Sequence, residues 1–590
     1  MSHPQEALNR ALAHHRRGEL AQAEAIYRQL LEAEPALADA LQLLGFLLHQ
    51  RGQSEQALPF IQQAIALSPG VAFYHSNLGL VQRALGQGDA ALASFMQAQR
   101  LEPGSAETCN NLGVVHADGG RNEDAARCFE RATALHPDFA EAHNNLGIAL
   151  VALARHALAL ASFENALRLR PDIADHHNNL GLALAALGRR PEAIESYRRA
   201  VALRPDFAVA LSNLALNLTR EGAADEAVAT ARHAVASDPQ LAQGWSHLGS
   251  ALQHSGALVE AMTAFRKAHA LAGDSPTHEA NFALCLLLAG EWDAGWQAYE
   301  CRFDHPAYAP LAPPPRCPIW QGEPLQGRSI LVMAEQGLGD VIHFARYAPL
   351  LKARGARVLL QCQPALRRLM GSLAGVDERV DSQTAPPSTD LAVAMMSLPH
   401  RFQTRPDSIP AAVPYLQPEL ADVLTWRRRL NGLQDKPRVG LAWQGSQTHG
   451  ADRYRSLPLA ALDALADVNG VHFISLQRDR PDEPAGPMGG RLIDLSAELT
   501  DMADMAALIA NLDLVISVDT SVCHLAGAMA RPVWVLLHAG PDFRWLMDRE
   551  DSPWYPTARL FRQRRVNQWG EVIERVREAL SALCTPSPGR

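Results

Sequence analysis

The chain has 590 residues, too many for one compact core, so it holds at least two domains, and a solenoid is the kind of domain that grows without a size limit. Hydrophobic residues make up 47% and charged residues 20%, the proportions of a folded protein rather than a disordered one. The formal charge of -9 is spread without acidic or basic blocks, and no run of about 20 apolar residues occurs. These features exclude nucleic acid, anionic lipid surfaces and a transmembrane segment as expectations.

The N-terminus, MSHPQEALNRALAHHRRGEL, reads as a polar amphipathic helix without the apolar region of a signal peptide. The eight cysteines form no C-x-x-C pair, so neither a zinc site nor a disulfide framework is expected, and the location expected is cytoplasmic.

From the N-terminus, a glycine recurs every 34 residues at Gly45, Gly79, Gly113, Gly147, Gly181 and Gly249, with Ala11, Ala215 and Ala283 in the same phase. Prolines at Pro35, Pro69, Pro103, Pro137, Pro171, Pro205 and Pro239 end one helix and begin the next unit. Small residues at Ala57, Ala91, Ala125, Ala159, Ala193, Ala227 and Ala261 permit close helix approach. Aromatics four positions later, at Phe95, Phe129, Phe163, Tyr197 and Phe265, are expected to fill the space between units. This is the tetratricopeptide pattern, and it predicts an α-solenoid of about nine helix-turn-helix units over residues 1–304.

Two residues before the glycine stand Asn77, Asn111, Asn145, Asn179, Asn213 and Asn281, with His247 in the same column. An amide donates and accepts at once, which suits an extended peptide backbone on the concave face; bonding within the repeat is the other reading of the same column. The ladder resembles that of the O-linked N-acetylglucosamine transferases, and the resemblance implies an acceptor protein or peptide as the partner held there.

Residues 305–328 lose the period and become proline-rich, as a linker does. Beyond them, apolar runs alternate with helical stretches. SILVMAEQ is followed by a helix from Val341 to Arg354, then ARVLLQCQ and a helix from Pro364; RVGLAWQGS, VHFISLQ, LDLVISVDT and PVWVLL form a second series. The pattern predicts two α/β lobes with parallel sheets, residues 329–416 and 436–584, joined through 417–435.

Each lobe has a strand that ends in a short turn opening a helix, the place where α/β sheets hold phosphorylated ligands. In the first lobe it is Gln336-Gly337-Leu338-Gly339-Asp340, where Asp340 also reads as a plain N-cap. In the second it is Asp519-Thr520-Ser521 with His524 in the following helix, where Asp519 again reads as a cap and His524 as a buried helix residue. Arg544, Trp545, Arg549 and Tyr555 read as residues that cement a domain edge, and His343 as structural.

Gly337-x-Gly339-Asp340, GLAWQGS, and Asp519-Thr520 with His524-Leu525-Ala526 before Pro532 make the chain from Arg328 to Leu583 resemble the heptosyltransferase-like glycosyltransferases of family 9. That resemblance implies twin Rossmann-type lobes of the GT-B kind and inverting sugar transfer from a nucleotide-diphosphate sugar. It gives Asp340 the role of base, and Gly337, Gly339, Ser446, Arg453, Arg455, Asp519, Thr520, Ser521 and His524 that of donor contacts. His524 and Arg453 or Arg455 are expected to meet the leaving charge. No cofactor is implied, and the absence of any Asp-x-Asp points to a mechanism without metal. Two other readings stand beside this one: a scaffold whose transferase-like domain has lost catalysis, and a transferase acting on a glycan or lipid-linked acceptor.

Overall fold

The computed structural model describes residues 4–273, 275–304, 316–446, 452–478 and 486–584. The chain divides into two compact units, Met1–Ala210 and Leu211–Arg590. Among the described residues no helix is long and apolar enough to cross a membrane.

The first unit is a run of helix pairs, such as Ala72–Ala84 with Gly88–Leu101 and Ala140–Ala152 with His156–Leu169. The 34-residue columns have direct physical causes. A Cβ on Gly147 would stand 2.4 Å from Phe163, one on Gly113 2.5 Å from Phe129, and one on Gly181 2.6 Å from Tyr197, so each aromatic rests on the bare backbone of its own unit's first helix. Phe95 also clusters with Leu112 and Val115 of the following unit, so the aromatic serves both the contact expected between units and one within the unit. Alanine at Gly147 is expected to overpack this contact and to lower stability by about 1–3 kcal/mol, read as an earlier urea transition.

The second unit opens with further repeat helices, among them Ala242–His254, Pro276–Ala289 and Trp292–Tyr299, followed by the short 3-10 helix Glu300–Asp304. Then come two all-parallel sheets. In the first, β1 (Ser329–Met333), β2 (Arg357–Cys362), β3 (Glu378–Asp381) and β4 (Leu391–Ala394) lie in the order β3-β2-β1-β4. The second sheet has β5 (Arg438–Ala442), β6 (His472–Ser475), β7 (Leu492–Ile493), β8 (Leu514–Val518), β9 (Val533–Leu537) and β10 (Ala558–Arg562), in the order β10-β9-β8-β5-β6-β7.

Three local expectations differ from what is found. The helix expected from Val341 to Arg354 is broken into Leu338–Phe344, a 3-10 turn and Ala348–Ala353, the last with Pro349 in its first turn, where a missing N–H costs nothing. The helix expected from Pro364 is present only as two 3-10 turns, Pro364–Leu366 and Leu369–Ser372, with Gly371 in the second. Residues 305–315 of the expected linker lie outside the described residues. Its later part is packed: Ile319 bridges to Ala392 beside β4, and Trp320 is fully buried with its Nε1 donating to Glu323 O at 2.9 Å. The stretch 417–435 contains the helix Leu420–Arg429, anchored by buried Trp426.

The last repeat is part of the α/β core. Trp292 stacks on Trp554 at 5.5 Å, and Trp296 meets Phe543 edge-on at 5.4 Å, within one cluster of buried residues that continues through both sheets. Arg302 holds Glu335 through two bonds of 3.0 and 3.2 Å and donates to Ser397 Oγ at 2.7 Å. Both partners of that ion pair are almost wholly shielded, so removing either strands a buried charge.

Candidate active site

The two sheet orders fix where a ligand can lie. β1 has β2 on one side and β4 on the other, and β5 lies between β6 and β8, so the strand order reverses at these strands and leaves a crevice at their carboxyl ends. The turn after β1 is Glu335–Asp340. Gln336 takes a left-handed φ of 52°, strain that its contacts hold in place: its Nε2 donates to Tyr299 Oη at 3.1 Å and its carbonyl accepts from Gln363 Nε2 at 3.2 Å. The turn after β8 ends in Thr520, whose hydroxyl caps the helix Ser521–Ala528.

These two turns face each other closely. A Cβ on Gly339 would stand 3.0 Å from His524 Cδ2 and 3.5 Å from Ser521 Cα, so any larger residue there would push on the His524 ring. Around them lies a cavity of about 1200 Å³ whose walls include Gly337, Gly339, Asp340, Ser446, Arg455, Asp519, Thr520, Ser521 and His524. Arg453 stands apart from this group: it is 59% exposed and forms an ion pair with Glu221 of the repeat helix Ala208–Glu221. The donor contact expected of it is therefore corrected, because the four-residue helix Asp452–Arg455 sends its side chain toward the repeats instead. Arg455 is fixed by Gly445, where a Cβ would collide with its guanidinium at 2.6 Å, and its Nη1 donates to Asp519 O at 2.9 Å.

Asp340 is both cap and site residue. One oxygen accepts from Gly337 N at 2.9 Å and the other from Arg544 Nη2 at 2.5 Å. Arg544 also donates to Asp542 at 2.8 Å, and although burial opposes its charge, Asp542 and Asp340 outweigh burial and raise its pKa. At 7% exposure it is the shielded cation of the site. The sequence assigned Arg544 to a domain edge, and no local signal distinguishes the two roles, since its partner Asp340 is 204 residues away.

Burial and the nearby Asp542 push the Asp519 carboxyl up to about 6. A carboxyl held above its unfolded value binds its proton more tightly in the folded state. Its penalty is absent below about pH 4 and complete as pH rises past the folded value. Asp519→Asn is therefore expected to be more stable than the parent protein by about 1–3 kcal/mol at pH 8, with the gap closing by pH 4, read from paired urea titrations.

His524 does not supply the positive charge expected of it. Burial lowers its pKa well below the ordinary value, with Arg544, Arg346 and Arg455 adding to the effect, so it is neutral near pH 7. Asp519, Cys523 and His524 bring donor atoms within 4.8 Å of one another, a set that could hold a metal. Arg455 and Arg544 act on Asp519 against Asp542 and burial, so groups of both charges line this place.

Other walls of the cavity come from the repeats: Gln253, His254, Leu284 and Tyr299. His254 Nδ1 bonds Ser250 O at 2.8 Å, and since a carbonyl only accepts, the proton sits on Nδ1. The backbones are also in contact, for a Cβ on Gly540 would lie 1.8 Å from Gln253 O. Nothing in the 34-residue period marks these positions.

The asparagine column bonds from unit to unit. Asn145 Nδ2 donates to Asn110 Oδ1 and Asn179 Nδ2 to Asn144 Oδ1, both at 3.0 Å, and Asn281 reaches Ser246 Oγ at 3.4 Å. His247 pairs with Ser212 Oγ at 2.8 Å in the same 35-residue relation. The Asn-Asn doublets in the sequence were the available sign of this second column. Asn77, Asn111, Asn145 and Asn179 stay partly exposed, whereas Asn213 is buried at 5%. An amide has two donor and two acceptor sites, so one bond to the next unit does not exhaust it.

The fold and site define a tetratricopeptide array followed by paired α/β lobes with a cavity lined by both arginines and carboxylates. Residues 8–72, 76–126, 110–163 and 146–208 match the tetratricopeptide repeat family, and residues 493–545 match glycosyltransferase family 9 (heptosyltransferase). The second match takes in Asp519, Thr520, Ser521, His524 and Arg544. The chain is 30% identical over 330 residues to protein FlbA of Caulobacter vibrioides, a match covering 50% of this chain and 54% of that protein. It thus spans about half the length of the curated relative it matches. Among solved structures, MamA is 27% identical with a TM-score of 0.26, covering 28% of this chain and 95% of that one. YrrB, described as a TPR protein with an unusual peptide-binding site, is 24% identical with a TM-score of 0.28, covering 31% and 95%. Pseudomonas aeruginosa pilF is 22% identical with a TM-score of 0.32, covering 34% and 92%.

Proposed function

We propose that the chain is an inverting, metal-independent glycosyltransferase that moves a sugar from a nucleotide-diphosphate donor to an acceptor protein held by the repeats. The observation that carries this reading is the meeting of two turns in one cavity, with Asp340 on one and the start of the helix Ser521–Ala528 on the other. The acceptor hydroxyl attacks the anomeric carbon, the bond to the diphosphate oxygen breaks, and the nucleoside diphosphate leaves with the electron pair. Asp340 takes the hydroxyl proton. Arg455, Arg544 and the amides at Thr520 and Ser521 meet the negative charge that forms on the leaving group.

The partly exposed asparagines Asn77, Asn111, Asn145, Asn179 and Asn281 are the acceptor contacts of this reading, and Gln253, His254, Leu284 and Tyr299 are the repeat-borne wall of the cavity. Thermal unfolding with UDP-, GDP-, ADP- and dTDP-linked sugars in the presence of EDTA tests it. Stabilisation by one donor without metal is expected. No stabilisation by any of them would favour the inactive scaffold, and stabilisation that disappears with EDTA would overturn the metal-free mechanism.

A further inference from the structure

We propose that His343 and Tyr555 are positioning residues that hold His524 with its proton on Nε2, so that this N–H is offered to an anionic oxygen in the cavity. The identity of that oxygen as part of a leaving diphosphate rests on the glycosyltransferase reading; the placement of the proton does not.

The Tyr555 hydroxyl lies 2.9 Å from His343 Nδ1 and 3.1 Å from His524 Nδ1. A hydroxyl carries one proton, so it can donate to only one of the two rings and accepts from at least one. His343 decides which. It is fully buried, and its Nε2 has no hydrogen-bond partner among the described residues. A buried orphan N–H is rarer than a buried orphan lone pair, so the His343 proton belongs on Nδ1, where it is donated to the Tyr555 oxygen. The Tyr555 proton then points at His524 Nδ1, and the His524 proton is left on Nε2. Tyr415, the other hydroxyl nearby, donates to Ile342 O at 3.0 Å and accepts from Arg346 at 3.1 Å; its oxygen also acts on Tyr555, and a Tyr555 proton turned to it is the competing arrangement, which would leave the His524 proton on Nδ1.

The surroundings keep this chain in register. Burial lowers both histidines well below the ordinary value, with Arg346 and Arg544 acting on each, so both rings are neutral and the choice of tautomer is real. Gly527 lets the Tyr555 ring press on its helix, where a Cβ would come within 2.4 Å of Cδ1. The His524 ring stacks on Trp545 at 5.4 Å, and its Cδ2, the atom next to Nε2, faces Gly339. Nε2 stands 3.6 Å from Asp519 Oδ1, near enough for attraction and too far for a hydrogen bond, so the donor remains available.

Full-length protein labelled with 15N-histidine tests the chain by long-range proton–nitrogen correlation at pH 8, with His343→Gln and His524→Gln used for assignment. His524 is expected to show a protonated Nε2 and a bare Nδ1, and His343 the reverse. A proton on Nδ1 of His524 would overturn the proposal. Inorganic pyrophosphate is expected to bind and to move the His524 Nε2 resonance, and its affinity for Tyr555→Phe is expected to be about tenfold weaker, with His524 redistributed between tautomers. A Tyr555→Phe protein with an unchanged His524 tautomer contradicts the positioning role, and pyrophosphate that leaves Nε2 unmoved contradicts the anion role. None of these readings requires sugar transfer, so failure of the chain and failure of the transferase reading are told apart.

Discussion

Asparagine at Asp340 is expected to slow sugar transfer by about 10²–10⁴-fold while leaving nucleotide-sugar affinity within a few-fold of the parent protein. The amide keeps the shape of the carboxylate and can still accept from Gly337 N, so the turn should hold its form. What it cannot do is take up the proton of an attacking hydroxyl. With its oxygen serving Gly337, the amide turns its NH2 to Arg544 and that charge-assisted bond is lost; Arg544 retains Asp542 as a partner, and the cost in stability is expected to be about 1–3 kcal/mol. Initial rates and donor titrations on the same preparation separate these effects. Loss of donor binding in step with rate would mean that Asp340 acts through Arg544 and the shape of the cavity rather than as the base.

Removing residues 1–304 is expected to unfold the α/β lobes, whereas a chain beginning at Asp206 is expected to keep them folded. The larger deletion takes away Trp292, Trp296 and Tyr299, all buried in the cluster that continues through both sheets, and leaves Glu335 without Arg302. Loss of one buried tryptophan costs about 3–5 kcal/mol and an unpaired buried charge a similar amount. Their sum reaches the whole stability of a typical domain, about 5–15 kcal/mol. The shorter deletion cuts near Ala210, where the first compact unit ends. Circular dichroism and urea unfolding distinguish the two chains. A folded product from the larger deletion would show that the last repeat is dispensable packing.

The repeats were legible because the glycine, proline and aromatic columns return every 34 residues, and each column has a local cause, such as the seat of Phe163 on Gly147. The strands were legible as apolar runs ending in polar turns, and the turns at Gly337 and Thr520 followed from them. Arg544 was not, because what makes it a site residue is a partner brought in by the closure of one lobe on the other. The neutrality of His524 depends on burial and on three arginines from separate segments, which no short window contains. The walls supplied by Gln253 and His254 were hidden for the same reason. Their repeat obeys the same period as the others, and contacts of its helix end with Gly540, Tyr454 and His538 set it apart.

The central claim, that the cavity between the two turns transfers sugar from a nucleotide-diphosphate donor, is tested most directly by following release of nucleoside diphosphate from UDP-, GDP-, ADP- and dTDP-linked sugars in EDTA. Release from one of these donors by the parent protein, and loss of that release in Asp340→Asn, is the predicted result. Undiminished release by Asp340→Asn, or no release from any donor by the parent protein, would contradict it.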